Sequence, residues 1–187
     1  MTHAVPTVPT VRMTIRSMTT DDIAAVLAIE EASSLQPWTR GVFLDELADQ
    51  VTRTYRVGCL DGRVVGFCGL MVQADEAHIT NIAVDPCHRR KSLGTALLLD
   101  TVRHAISQKI RALTLEVRVS NVEARVLYQR FGFAPVGVRP KYYRVNNEDA
   151  VIMWAHDVDA APYQVRLAGI AAGLSAPVSP SAKDPVT

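Results

Sequence analysis

The sequence predicts an α/β fold, with a mixed but mainly antiparallel sheet and helices on both of its faces. Apolar runs at residues 55–60, 64–72 and 77–84 follow one another without an intervening helix, so we expect three antiparallel neighbours. An Asp-Gly pair at 61–62 joins the first two runs and favours a type I′ hairpin turn. Residues 112–119 alternate strictly between apolar and polar side chains, which is typical of a strand with one buried face.

Polar residues that suit helix starts predict the helices around this sheet. Thr19 and Thr39 each precede a segment with apolar side chains at helical spacing. Ser120 and Glu123 match the S-x-x-E capping box, which predicts another helix directly after the alternating strand. Residues 94–109 carry apolar side chains on one helical face and predict the longest helix.

One domain accounts for most of the chain. Its 187 residues are 48% hydrophobic and 21% charged, with a formal net charge of +1, which is an ordinary composition for a soluble domain. We expect a flexible arm at residues 1–11, a folded domain at 12–158 and a mostly disordered tail at 159–187, where Ala, Pro and Ser dominate. A short helix near residues 163–172 is an open alternative within that tail.

Composition also excludes several classes of protein. The net charge near zero argues against direct nucleic-acid binding, and no apolar run approaches the roughly 20 residues of a membrane span. The first 13 residues lack the pattern of a signal peptide. Cys59, Cys68 and Cys87 have no CxxC spacing, which favours free thiols over a disulfide or zinc site. We therefore expect a cytoplasmic protein without a bound metal.

A basic loop between the third apolar run and the longest helix is the first candidate binding site. It contains Arg89, Arg90, Lys91, Ser92 and Gly94. Free backbone amides and the helix dipole make such a helix start an anion site, most often for phosphate. The loop lacks both the Walker GK[ST] and the GxGxxG pattern. The same residues would also suit a solvated surface turn.

Glu116 and Tyr128 form the candidate catalytic pair. Glu116 lies on the polar side of the alternating strand, and Tyr128 follows on the next helix, with Asn121 between them. A strand end and the helix after it can bring a carboxylate and a phenol to one cleft, as a general base and a general acid. The alternative is a solvated glutamate and a packed tyrosine.

Two stretches resemble a known enzyme family. VDPCHRRKSLGTALL resembles the acyl-CoA-binding motif Q/R-x-x-G-x-G/A of the GNAT N-acetyltransferases. LEVRVSNVEARVLYQRFGF, followed by KYYR and DAVIMW and preceded by QPWTRGVF, is similar to one branch, the RimI-type ribosomal-protein-alanine N-acetyltransferases. The resemblance covers residues 13–157. It implies the GNAT fold, in which two neighbouring central strands splay apart to admit the pantetheine arm of acetyl-CoA.

The resemblance also implies a reaction and residue roles. Acetyl-CoA, as cosubstrate, would give its acetyl group to the N-terminal amine of a protein, alanine in a small-subunit ribosomal protein. Glu116 matches the general base and Tyr128 the general acid. The backbone of residues 90–95 would hold the pyrophosphate, and that of residues 82–84 would pair with the pantetheine arm. The residues that would contact acetyl-CoA are Ile82, Ala83, Val84, Arg89, Arg90, Lys91, Ser92, Leu93, Gly94, Thr95 and Asn121.

Aromatic residues provide weaker candidates for substrate binding. Tyr142 and Tyr143 resemble the substrate-loop tyrosines of this branch, and packing is the alternative role for both. Trp38 is a candidate substrate contact whose alternative role is a core or lid aromatic. We expect His78 to be structural.

Ser92 departs from the motif, which has glycine there. If residue 92 needs a positive φ, serine costs roughly 1 kcal/mol relative to glycine. If it is helical or extended, the hydroxyl is free to bond a phosphate. We expect the second case, because natural chains usually keep a non-glycine residue where the backbone permits it.

Other functions stay open at this level. A GNAT enzyme that acetylates lysine side chains or a small-molecule amine is one alternative, and a non-catalytic acyl-CoA-binding module is another. The sequence does not identify the acceptor or the oligomeric state.

Overall fold

The protein is described by a computed structural model that covers residues 13–174 and 179–180. Within them, eight strands form one sheet in the order β6-β7-β5-β4-β3-β2-β1-β8. The strands are β1 (Met13–Ser17), β2 (Arg53–Leu60), β3 (Arg63–Gln73), β4 (Glu76–Val84), β5 (Ala112–Arg118), β6 (Ala134–Tyr143), β7 (Glu148–Ala155) and β8 (Ser179–Pro180). The β4–β5 and β1–β8 pairs are parallel and the other five are antiparallel, so the predicted mixed sheet is confirmed.

Five α-helices of the described residues cover this sheet on both faces. They are α1 (Ile23–Ser33), α2 (Arg40–Ala48), α3 (Leu93–Ser107), α4 (Val122–Arg130) and α5 (Ala161–Ala172). Successive side chains of a strand point to opposite faces, and Phe67 and Cys68 of β3 accordingly belong to different buried clusters. The Cys68 cluster includes residues of α3, α4 and α5, whereas the Phe67 cluster includes residues of α1 and α2. The predicted arrangement of helices is therefore confirmed.

Local sequence signals explain most turns and caps. Asp61 and Gly62 both have positive φ, 48° and 81°, as a type I′ turn requires. The predicted capping box at the start of α4 is wrong, because Asn121 and not Ser120 is the N-cap. The Asn121 side chain accepts a hydrogen bond from the Ala124 amide at 3.1 Å. Ser120 instead donates its amide and hydroxyl hydrogens to the Glu148 carboxylate.

The parallel pair β4 and β5 separates along its length. Their register contains only three pairs, Glu76 with Ala112, Ala77 with Leu113 and His78 with Thr114. Beyond these pairs β4 continues to Val84 and remains bonded only to β3 on its other side. The two central strands therefore splay, as the resemblance implied, and the β4 backbone after His78 has no partner from β5.

The folded part extends past the boundary predicted at residue 158. In place of a mostly disordered segment, residues 161–172 form α5, in which Tyr163, Leu167 and Ile170 are buried. The alternative of a short helix near residues 163–172 is thus confirmed. Arg166 also donates to the backbone oxygen of Arg130 at the end of α4, at 3.4 Å. The spacing of the three buried residues places them on one helical face, a signal that the Ala- and Pro-rich composition obscures.

The predicted arm at residues 1–11 and the tail beyond Leu174, apart from β8, lie outside the described residues. Among the helices of residues 13–174, none combines the length and the apolar character that crossing a bilayer demands.

Candidate active site

The separation of β4 and β5 opens two adjoining depressions. The first, called here the Glu116 cavity, has a volume of about 550 Å³ and is lined by Glu30, Trp38, Glu116, Tyr128, Tyr142 and Tyr143 among others. The second, called the α3 groove, has about 540 Å³ and runs along the N-terminus of α3. Ser33, Ile82, Ala83 and Asn121 line both, so the two depressions are continuous.

The α3 groove gathers the predicted cofactor contacts. Those that line it are Ile82, Ala83, Val84, Arg89, Arg90, Ser92, Leu93, Gly94, Thr95 and Asn121. Lys91 is exposed and does not line the groove. Lys91 is therefore a suitable control for Arg89 and Arg90, which do line the groove.

Ser92 has a left-handed backbone conformation, with φ 60° and ψ 13°, so the expectation of a helical or extended residue is wrong. It is the N-cap of α3, and its backbone oxygen accepts the hydrogen bond from the Ala96 amide at 3.0 Å. Its side chain makes no capping hydrogen bond. Arg90 is also left-handed, with φ 65°. The loop therefore turns into α3 through two positions at which a side chain is strained.

The two groove arginines differ in how firmly they are held. Arg89 donates to the Val84 backbone oxygen and to the Ser33 hydroxyl, both at 3.3 Å, and so ties the loop to β4 and α1. Arg90 Nη1 lies 3.3 Å from Glu123 Oε1, and both side chains are largely exposed. An exposed pair of this kind contributes little to stability, so Arg90 is free to exchange Glu123 for an anionic ligand.

The floor of the groove leaves room for a ligand at Gly94. A Cβ at this position would lie 3.7 Å from Leu127 Cδ2 and 3.8 Å from Val84 Cγ2, which are ordinary van der Waals distances. The protein itself therefore does not require glycine there. Because Gly94 has no side chain, an anion such as a pyrophosphate can approach the backbone amides at the start of α3.

Glu116 is held by two basic side chains. Its Oε2 lies 2.9 Å from His78 Nε2, and its Oε1 lies 3.0 Å from Arg139 Nη1. The hydrogen bond from His78, with the charges of His78 and Arg139, lowers the pKa of Glu116 against the opposing effect of burial. The carboxyl group is therefore ionised at neutral pH, as a general base must be.

Sequence reasoning missed both partners of Glu116. His78, expected to be only structural, is 38 positions away from Glu116, and Arg139 is 23 positions away. The sheet order β6-β7-β5-β4 brings these side chains together, and no local pattern in the sequence carries that information.

Tyr128 lies on α4 and lines the same cavity as Glu116, so the predicted catalytic pair does meet at one site. It is 5% exposed and packs edge-on against Phe133, with 5.8 Å between ring centroids. Burial raises the pKa of Tyr128 above its ordinary value. The phenol therefore keeps its proton at neutral pH and can donate it.

The three predicted aromatic residues also line the Glu116 cavity. Tyr142 and Tyr143 lie at the end of β6 and not in a loop. The Tyr143 ring lies under the Arg118 guanidinium at 3.7 Å, and its hydroxyl donates to the Glu116 backbone oxygen at 3.5 Å. Trp38 packs against Phe43, with 5.5 Å between centroids. Tyr143 and Trp38 therefore combine packing with a place on the cavity wall.

Glu30 on α1 is a second carboxylate on the cavity wall, and no sequence motif pointed to it. It is 2% exposed. Its Oε1 accepts the Trp38 amide hydrogen at 3.2 Å, and its Oε2 accepts from Asn81 Nδ2 at 3.1 Å. Burial raises the pKa of Glu30, although both hydrogen bonds oppose the change.

No group of three or more His, Cys, Asp or Glu side chains able to hold a metal ion occurs among residues 13–174. The three cysteines are free thiols, with Cys59 and Cys68 buried and Cys87 exposed.

Comparison with known proteins places this architecture in a family. The sequence model of the acetyltransferase (GNAT) family matches residues 23–133. The chain is 44% identical over 140 residues to a putative [ribosomal protein bS18]-alanine N-acetyltransferase of Bacillus subtilis (strain 168), covering 75% of this chain and 93% of that protein. It is 34% identical over 142 residues to the [ribosomal protein bS18]-alanine N-acetyltransferase of Escherichia coli (strain K12), covering 75% and 95%.

Solved structures agree with this placement. The ribosomal-protein-S18-alanine N-acetyltransferase from Escherichia coli superposes with a TM-score of 0.72 at 33% identity, covering 78% of this chain and 94% of that one. Ard1 from Thermoplasma volcanium gives 0.73 at 31% identity, covering 78% and 98%. The chain thus belongs to the GNAT acetyltransferase family and is an acetyl-CoA-dependent N-acetyltransferase.

Proposed function

We propose that this enzyme acetylates the N-terminal α-amino group of a small-subunit ribosomal protein, with alanine as the first residue. The observation that carries the proposal is the meeting of an ionised Glu116 and a protonated Tyr128 in a cavity continuous with the α3 groove. The relatives named as bS18-alanine N-acetyltransferases support the same class of acceptor.

The α3 groove would hold acetyl-CoA. Backbone amides of residues 90–95 and the guanidinium groups of Arg89 and Arg90 would bind the pyrophosphate at the N-terminus of α3. The backbone of Ile82 to Val84, unpaired on the β5 side, would bond the pantetheine arm. This placement directs the thioester toward the continuous Glu116 cavity.

Glu116 would then act as the general base of the reaction and Tyr128 as its general acid. The acceptor amine, with an unperturbed pKa of about 8, is mainly ammonium at pH 7, and Glu116 takes its proton directly or through a water. The amine nitrogen attacks the thioester carbonyl carbon, which a β4 backbone amide polarises. The nitrogen of the resulting tetrahedral intermediate gives its second proton to water, and the C–S bond breaks as Tyr128 gives its proton to the leaving sulfur. Proton exchange with water then returns Tyr128 and Glu116 to their starting forms, and the products are the acetamide and the thiol form of CoA.

A peptide assay with mass spectrometry of the product tests the proposal. A peptide with a free N-terminal alanine should be acetylated at its α-amine, whereas its N-terminally blocked, lysine-containing twin should not. Glu116→Gln and Tyr128→Phe should each lower the rate about 100-fold or more. Tyr163→Phe, which removes a buried hydroxyl outside the cavity, is the matched control and should keep the wild-type rate. Wild-type rates in both cavity variants would overturn the assignment.

A further inference from the structure

Two carboxylates line the Glu116 cavity, and their surroundings differ in charge. Glu116 already has two basic partners, His78 at 2.9 Å and Arg139 at 3.0 Å. Glu30 bonds only to neutral donors, the Trp38 amide and the Asn81 side chain. Within residues 13–174, no Lys, Arg or His side chain lies within ion-pair distance of Glu30.

Such a carboxylate is unusual in a protein interior. Acidic side chains are almost never fully buried without a cationic partner, because removing a charge from water is costly. Glu30 is 2% exposed, deeper than any other charged side chain among residues 13–174. A carboxylate has about four lone-pair positions, and the two hydrogen bonds of Glu30 leave half of this capacity unused.

The two hydrogen bonds hold the Glu30 carboxylate between two segments that line the cavity. The Trp38 amide belongs to the connection between α1 and α2, and Asn81 belongs to the part of β4 that has no β5 partner. Because each oxygen is bonded once, the group is fixed in orientation before any ligand arrives. A preorganised acceptor of this kind loses little conformational entropy on binding a cation.

We propose that Glu30 binds the α-ammonium group of the acceptor peptide. The ammonium group supplies the cationic partner that the described residues do not provide for this carboxylate. This inference rests on the proposed function and adds to it separate roles for the two carboxylates. Glu30 attracts and orients the cationic N-terminus, and Glu116, which is bonded to His78 and paired with Arg139, takes the proton. The pKa of Glu30 is raised because burial without a cationic partner favours the neutral form of its carboxyl group. An ammonium group bound beside it returns the carboxylate to its charged form.

Steady-state kinetics of Glu30→Gln with the alanine-initiated peptide test this role. Gln keeps the length of the side chain and can still accept from the Trp38 amide, and rotation of the Asn81 amide restores the second hydrogen bond. The loss of one charge-assisted hydrogen bond should raise the KM for the peptide about tenfold or more. The melting temperature and the Kd for acetyl-CoA should stay at their wild-type values, because a neutral group replaces an unpaired buried charge.

Two further variants complete the design. Glu31→Gln changes the exposed neighbour on α1 and should leave the peptide KM unchanged. Glu30→Asp keeps the charge and should recover part of the peptide affinity that Glu30→Gln loses. Calorimetry with the free and the N-acetylated peptide gives a reading independent of turnover, since the wild type should prefer the free amine and Glu30→Gln should not.

The outcomes separate the two proposals. If the wild type does not acetylate the peptide, the proposed function is overturned and the role of Glu30 with it. If the wild type is active and Glu30→Gln keeps its peptide KM and its preference for the free amine, only the role of Glu30 is overturned. The role of Glu30 is also overturned if Glu30→Asp and Glu30→Gln bind the peptide equally weakly, because shape and not charge would then matter.

Discussion

Ser92 is strained in the protein before any ligand binds, because its φ is 60°. The strain at Ser92 therefore lowers the free energy of unfolding and does not weaken cofactor binding. Ser92→Gly should raise the free energy of unfolding by about 0.5–1 kcal/mol, the αL penalty less the extra unfolded-state entropy of glycine. A chain of this size should gain about 1–4 °C in melting temperature, which calorimetry can measure.

Ser92→Ala is the control for this prediction. It keeps a Cβ, and hence the strain, and removes only the hydroxyl, which makes no capping bond. Its melting temperature should match the wild type, and any loss of acetyl-CoA affinity would assign the hydroxyl a contact with the ligand. A less stable Ser92→Gly variant would contradict the left-handed conformation.

Glu116 predicts a second residue-scale effect, on the pH dependence of stability. Its folded-state pKa is depressed, first by the hydrogen bond from His78, below the value of about 4.3 expected in the unfolded chain. The charged form therefore stabilises the fold fully above the unfolded pKa, and this contribution is lost as the pH falls through the folded pKa. The wild type should therefore be more stable than Glu116→Gln at pH 5, and this difference in the free energy of unfolding should become smaller as the pH is lowered to 3. Urea unfolding at both pH values measures it, and a difference that grows toward acid would contradict the pairing.

The limits of sequence reasoning are clearest at these residues. Glu116 and Tyr128 are found from a strand alternation, a helix pattern and a family motif that all lie within residues 112–133. His78 and Arg139 reach the Glu116 carboxylate, and Glu30 reaches the cavity wall, from distant segments of the chain that no local pattern links. The φ of Ser92 likewise depends on how the loop enters α3, which the residue type alone does not determine.

At the scale of elements, α5 is the main addition to the expected domain. The alternating pattern of β5 and the Asp61-Gly62 turn were sufficient to predict their elements, because each signal is local and strong. The helix at 161–172 carries apolar residues at 163, 167 and 170, but its Ala-rich, Pro-containing composition resembles that of a tail. Contacts with α3 and the end of α4 make it part of the core.

Removing the buried surface of α5 should therefore destabilise the whole domain. Leu167 is 1% exposed, and Leu167→Ala should lower the free energy of unfolding by about 2–5 kcal/mol. Val165 on the same helix is 72% exposed, and Val165→Ala should change it by no more than about 0.5 kcal/mol. Denaturant unfolding compares the two variants.

A chain ending at residue 158 should melt less cooperatively than the full chain. Equal stability of Leu167→Ala, Val165→Ala and this shortened chain would show that α5 does not contribute to the core.

At the scale of the whole molecule, the charge distribution determines how the enzyme attracts its anionic cosubstrate. The formal net charge of +1 provides almost no overall field, so attraction of acetyl-CoA has to come from the local cations of the α3 groove. Arg90 lines this groove with an exposed guanidinium group, whereas the neighbouring Lys91 does not line it. The position of each charge, more than the total, should therefore decide the salt dependence of binding.

The Kd for acetyl-CoA should rise with salt, because the Debye length falls from about 10 Å at 0.1 M to about 3 Å at 1 M. Arg90→Gln should raise the Kd at low salt about three- to tenfold and flatten its dependence on salt, since one phosphate contact is lost. Lys91→Gln removes the same formal charge one position away but outside the groove, and should have the smaller effect on both quantities. Calorimetric titrations at four salt concentrations give the slopes. Equal slopes for the two variants would mean that only total charge matters, and that the pyrophosphate does not lie at the start of α3.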